Sequence, residues 1–286
     1  MATTTTTRAD RRRGCRGPTA GREISRSERT SHHAFFAVSA LLFAASVTVT
    51  IIWCASMSAM GGMPMPGGWM MSMAWMRMPG QTWLGSATSF LGMWVVMMLA
   101  MMLPSLLPML WRYRKAVGST GETRLDLLTA LASVGYFSVW TLFGMAAFLF
   151  GVALAAIEMQ QPALARAAPI AVGVVVVMAG CLQFTRWKAR HLVCCRELPE
   201  RGRTLPADTS TAWRHGLRLG LHCTQCCVGL MAVLLVIGVM DIRAMAVVTA
   251  ASTVERLAPA GERVARALGA IVVGAGLFLI ARAAGL

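Results

Sequence analysis

Apolar residues in this chain come in long unbroken runs, not in the repeating three-and-four spacing of a helix with one wet face. Runs long enough to cross a hydrocarbon layer as an α-helix, about 20 residues, fall at 34–54, 83–110, 127–156, 169–185, 219–240 and near 264–282. Between Asp241 and Arg263 the run from Ala244 to Val254 is too short to cross and is expected as a half-helix or a helix at the interface. The pattern predicts an all-α polytopic transmembrane helical bundle of about six spans, or seven if that short run is counted.

Composition agrees. Of 286 residues 56% are hydrophobic and 14% charged, too few charges to cover a water-soluble surface of this size. A formal charge of +15 would suggest a nucleic-acid partner in a soluble chain. Here the basic residues sit in alternate gaps instead. Eight Arg lie in the first 30 residues, four basic residues between Arg112 and Arg124, and eight between Arg186 and Arg218. The gaps at 55–82 and 157–168 carry one each, Arg77 and Arg166. By the positive-inside rule the amino terminus and the gaps 111–126 and 186–218 face the cytoplasm. The bilayer is therefore the expected partner of this charge, and nucleic acid is not. Residues 1–33 are expected as a disordered basic cytoplasmic tail. Residues 34–82 then form the first transmembrane helix, a retained anchor, with an outer loop, and 83–286 a membrane helical domain.

Chemistry concentrates in HCTQCCVGLM, residues 222–231, at the start of the fifth span. Residues three and four apart on a helix are neighbours, so Cys223, Cys226 and Cys227 share a face, with His222 one turn from Cys226 and Met231 one turn from Cys227. His191, Cys194 and Cys195 repeat the one, four, five spacing just beyond the fourth span. If the two spans are neighbours, as consecutive helices usually are, five thiols and two imidazoles come within reach of one metal or two. Thiolate, thioether and imidazole suit Cu(I) and Zn(II), whereas hard cations want oxygen. A reducing cytoplasmic position does not favour disulfides. The CxxC of Cys223 and Cys226 nevertheless resembles a redox pair.

Methionine points the same way. Fifteen of the 22 Met lie between Met57 and Met109. Nine of them occupy the outer loop among Gly, Pro and Trp, a composition that predicts a flexible segment able to hold Cu(I) or Ag(I). In the second span Met93, Met97 and Met101 follow at four-residue spacing, as a path for a soft ion or as a packing seam, and Pro104 and Pro108 should bend its inner end. Glu255–Arg256 is expected as an ion pair or interfacial anchor, or as a structural clasp if buried. Gln183 could bond across helices. No catalytic triad, phosphate loop or paired acids are visible, so an enzyme is not expected.

Several of these stretches resemble the bacterial domain-of-unknown-function family 2182: AMMLPSLLPM (100–109), GYFSVWTLFG (135–144), QFTRWKARHLVCCRELP (183–199), HCTQCCVGLM, and the later GVM and VER. The resemblance covers about residues 83 to 282. In the family pattern Gly and Trp stand where this chain has Gln225 and Val228, while Cys223, Cys226 and Cys227 match. The family cysteine before Arg-x-Pro matches Cys195. The resemblance implies a predicted metal-binding integral membrane protein, in some members a copper chaperone. Together with the residues, it yields the expectation of a multi-pass protein of the bacterial inner membrane that handles a soft metal. Copper(I) comes first and silver or zinc are alternatives. The metal ligands are expected among Cys223, Cys226, Cys227, His222, Cys194, Cys195, His191, Met231, Met97 and Met101, and a metal-donor or acceptor protein is the expected partner. A membrane thiol-disulfide oxidoreductase using Cys223 and Cys226, and a non-catalytic assembly partner for another membrane complex, are the rival expectations.

Overall fold

A computed structural model of the chain describes residues 18–59, 61–77, 80–117, 121–197 and 204–285. Eight α-helices occur among them: α1 (Pro18–Ala59), α2 (Trp83–Val117), α3 (Glu122–Gln160), α4 (Pro162–Leu182), α5 (Arg186–Glu197), α6 (Thr209–Ile237), α7 (Ile242–Leu257) and α8 (Gly261–Ala284). Six are long and apolar enough to cross a membrane: α1 over His33–Ala59, then α2, α3, α4, α6 and α8. The short run after Asp241 lies in α7, whose 16 residues reach about 24 Å at 1.5 Å per residue, less than a hydrocarbon core. Two compact units divide the chain, Met1–Leu41 and Leu42–Leu286, and the second holds every element after α1.

Within the second unit α2 and α6 are the innermost spans. Burial covers 61% and 50% of their apolar stretches, against 22% for α3, 28% for α4 and 17% for α8. Large apolar side chains such as Leu142, Phe150, Ile271 and Phe278 point outward from α3 and α8. In water such a surface would be a liability; against lipid tails it is the required solvent.

Lipid tails are as apolar as the side chains they replace, so helices in a bilayer associate through close packing at small residues. The contact of α6 with α3 depends on this. Ala212, Gly216 and Gly220 recur at four-residue spacing on α6 and are all buried. A Cβ on Gly216 would lie 2.1 Å from the Ala132 carbonyl oxygen of α3, and one on Gly220 2.9 Å from that of Tyr136. In α4 and α8 the arrangement is reciprocal: Gly173 faces Gly276 and Gly180 faces Gly269, with each missing Cβ 3.0–3.1 Å from the opposing carbonyl. The Gly216 and Gly220 contacts fix the rotation of α6, and with it the direction in which its cysteines point.

Two expectations differ from the structure. Residues 18–33 were expected to lack regular structure but belong to α1. The Met-rich segment is ordered: β1 (Met63–Met65) and β2 (Trp69–Met71) pair as an antiparallel hairpin, Met63 opposite Met71 and Met65 opposite Trp69. Gly67 and Gly68, at φ +108° and +77°, supply the turn that other residues resist. Strand alternation puts Met65 and Met71 inside, against Ala155 and Ala165, while the Trp69 indole donates to the Ala165 carbonyl at 2.8 Å. Met60 and Met78 lie outside the described residues. Pro104 and Pro108 both lie inside α2, which continues as helix to Val117.

Gly216→Ala should lower stability by about 1–3 kcal/mol, the usual penalty of overpacking. Gly274→Ala, which meets nothing within 4 Å, should not. Thermal unfolding of the two variants in one detergent checks this.

Candidate metal centre

Between α4 and α6 the chain reverses. Single-turn hydrogen bonds from the amides of Gln183, Phe184 and Thr185 close the end of α4. The Thr185 hydroxyl then accepts from the Lys188 amide at 3.2 Å, opening α5. Lys188, Leu192 and Cys195 recur at four and three residues and form the buried face of α5, while Cys194 next door is exposed.

That face meets α6 in parallel register. The rings of His191 and His222 lie 5.8 Å apart between centroids, and one turn further along both helices the Cys195 thiol lies against that of Cys226. The repeated sequence spacing is thus a repeated contact. Sulfur from both motifs converges, with imidazole from both motifs one turn away. Neither histidine Nδ1 has a hydrogen-bond partner among the described residues.

The three thiols of α6 each meet a different neighbour. Cys223 faces α3, where Tyr136 Oη lies 2.8 Å from its sulfur. Cys226 faces α5 through Cys195 and lies 3.8 Å, sulfur to sulfur, from Cys227. Cys227 faces α7 and donates to Ser252 Oγ at 3.8 Å. All seven cysteines among the described residues are free thiols.

At the centre of these sulfurs lies a side chain from α7. Arg256 Nη2 donates to Cys223 Sγ at 2.7 Å, Cys227 Sγ at 2.9 Å and Cys226 Sγ at 3.3 Å. Its Nη1 donates to Ser105 Oγ of α2 at 2.9 Å. Glu255 does not pair with Arg256 as the sequence suggested. Its carboxylate accepts from Lys188 Nζ at 2.7 Å, and Lys188 also donates to the Cys226 carbonyl. Lys188, Glu255 and Arg256 are all buried. Burial pushes the Glu255 carboxyl above the usual range, and the Lys188 ammonium partly pulls it back. The hydrogen bond from Cys226 holds the Cys195 thiol below its usual value against the cost of burial, helped by the charge of Arg256.

Of the residues named from sequence, Cys195, Cys223, Cys226 and Cys227 come together, and His191 and His222 form the adjacent pair. Cys194 turns away. Met231 is fully buried one turn beyond Cys227, and Met97 and Met101 are buried on the four-residue row of α2 that ends at Ser105, the partner of Arg256. Sequence reasoning missed Arg256, Tyr136, Ser105 and Lys188 as members of this cluster. A charged residue in an apolar stretch was the available signal for Arg256. Among the described residues no three of His, Cys, Asp and Glu stand disposed to grip a metal ion, because the sulfurs turn toward the guanidinium. The donor set itself, sulfur with imidazole nearby and the one carboxylate engaged by lysine, suits Cu(I) or Zn(II) and not a hard cation.

Glu255→Gln would leave the Lys188 charge buried without its partner, which costs about 3–5 kcal/mol. The double substitution Lys188→Met, Glu255→Met should recover most of that loss. Unfolding midpoints of the three proteins in the same detergent decide it.

No curated protein and no solved structure matches the chain. A family model does: PpoB2, described as a copper chaperone, matches residues 91–279. With the match spanning more than half of its length, the chain belongs to the PpoB2 copper chaperone family, formerly the domain-of-unknown-function family 2182 that its motifs resemble.

Proposed function

We propose that this protein binds copper(I) at Cys195, Cys223, Cys226 and Cys227 and takes part in its delivery across or at the membrane. The observation that carries the proposal is the convergence of sulfur from two separate sequence motifs in one buried pocket. A packing role does not require four thiols to meet, since isolated cysteines fill space as well. His191 and His222, one turn away, supply a second station with nitrogen donors. Family membership supports copper as the cargo.

The basic gaps place this pocket at the cytoplasmic side by the positive-inside rule. On that orientation the methionine hairpin lies outside, where half-buried Met63 and exposed Met70 offer thioethers that hold Cu(I) without losing a proton. Met93, Met97 and Met101 mark the line from there toward Ser105 and the pocket. The mechanism is one of ligand exchange: capture by thioether, passage along the buried methionines, retention by thiolate, and release to a partner protein. Each thiol that ligates gives up its proton to water, so binding weakens as pH falls.

Purified protein under reducing conditions, titrated with Cu(I) against a chromophoric chelator, tests this. Wild type should take up Cu(I), and the triple variant Cys223→Ser, Cys226→Ser, Cys227→Ser should lose at least about 100-fold in affinity, the upper end of single second-shell losses. Cys195→Ser should weaken binding, whereas Cys194→Ser should leave it unchanged. Equal uptake by wild type and the triple variant would refute the assignment. Lowering the pH from about 7.5 to about 5.5 should weaken wild-type binding in step with proton uptake.

A further inference from the structure

A buried arginine ordinarily bonds a carboxylate, whose two oxygens match its planar fork. Arg256 has one beside it in sequence, yet Glu255 is taken by Lys188. Among the described residues the guanidinium bonds three sulfurs, the Ser105 hydroxyl and, at 3.4 Å, the Cys223 carbonyl. No carboxylate is among its hydrogen-bond partners. Its Nε is buried without a hydrogen-bond partner among the described residues. The pocket thus surrounds a positive charge with the same sulfur lone pairs that would bind a soft metal ion. Sulfurs directed at guanidinium hydrogens are not free to point at a metal, and two cations in one low-dielectric pocket repel.

Arg256 also comes from a different helix than the thiols. It sits next to the end of α7 and ties that end to α2 through Ser105 and to α6 through Cys223, Cys226 and Cys227. The same end is tied to α5 by Lys188–Glu255 and by Arg196, whose Nη2 donates to the Ala258 carbonyl at 2.6 Å. Anything that takes the sulfurs from Arg256 removes the three charged bonds between α7 and α6.

We propose that Arg256 is the resident cation of the sulfur pocket, and that copper(I) loads by exchange with its guanidinium, loosening the carboxyl-terminal end of α7 from α6 while its ties to α5 stay. This rests on the reading of the pocket as a copper(I) site. In the exchange each ligating thiol loses its proton to water and forms a sulfur–metal bond. No electron is transferred, and the guanidinium keeps its charge as it leaves the sulfurs. Arg256 is then a positioning residue: it keeps the thiols gathered between loadings, and its departure reports loading on the surface of α7.

Full-length protein in detergent under reducing conditions tests the exchange. Cu(I) stoichiometry comes from chelator competition, and the accessibility of Arg256 from phenylglyoxal modification mapped by peptide mass spectrometry, with exposed Arg243 as reference. Copper(I) should raise modification of Arg256 relative to Arg243 by about tenfold, the factor that one charge-assisted hydrogen bond carries. Amide hydrogen exchange over residues 250–257 should rise with it. In Arg256→Gln that exchange should already be fast and should no longer respond to Cu(I). Stoichiometric Cu(I) binding with Arg256 still shielded and α7 exchange unchanged would overturn the proposal while leaving the copper site standing. Absence of Cu(I) uptake by the wild type would overturn the copper site itself.

Discussion

Beside the cysteines, three formal charges lie in the interior of a helical membrane domain, and the structure there is organised by the need to satisfy them. Water is not at hand to solvate Lys188, Glu255 and Arg256, and an unpaired charge in such surroundings costs several kcal/mol. Lys188 and Glu255 answer this with each other. Arg256 answers it with sulfur. Helices α5, α6 and α7 are joined through these contacts, and α2 joins them by one serine hydroxyl. Remove the charges and the helices would still bury apolar surface, but α5 and α7 would lose the polar contacts that draw them to the thiols of α6.

Register is set by a different force. Gly216 and Gly220 allow the backbone of α6 to touch that of α3, so the helix cannot rotate without driving a carbonyl into a Cα. Cys223 then has one direction open to it, toward Tyr136. Small residues at four-residue spacing and thiols at three- and four-residue spacing on the same helix therefore belong to one design: the first fixes the angle, the second uses it.

Hydrophobic run length alone was enough to find all six crossing helices, because a bilayer imposes a minimum length that few other contexts require. The thiols were legible for a related reason, since sulfur and imidazole at helical spacing have few other uses in such a place. Arg256 was harder. Its proximity to Glu255 in sequence suggested an ion pair, whereas consecutive residues on a helix point about 100° apart, and each found its partner on another element. The hairpin was also hidden. Gly and Pro in a methionine-rich stretch looked like flexible chain, but two of those glycines are the turn, and the methionines on either side of them alternate as a strand requires. Parallel packing of α5 on α6 could not be read from the one, four, five repeat alone, because the repeat says which residues share a face and not what that face meets.

The hairpin divides its thioethers by fate. Met70 is 60% exposed and Met71 is 2% exposed, although they are adjacent. Strand alternation sends one sulfur outward and seats its neighbour in the cluster with Ala155 and Ala165. An oxidant arriving from solvent meets Met70 first, where a sulfoxide oxygen can be hydrated. The same oxygen on Met71 would press a polar group into a space lined by methyls and force the two strands off the helices beneath. Met70 is positioned to absorb oxidative damage before it reaches Met71.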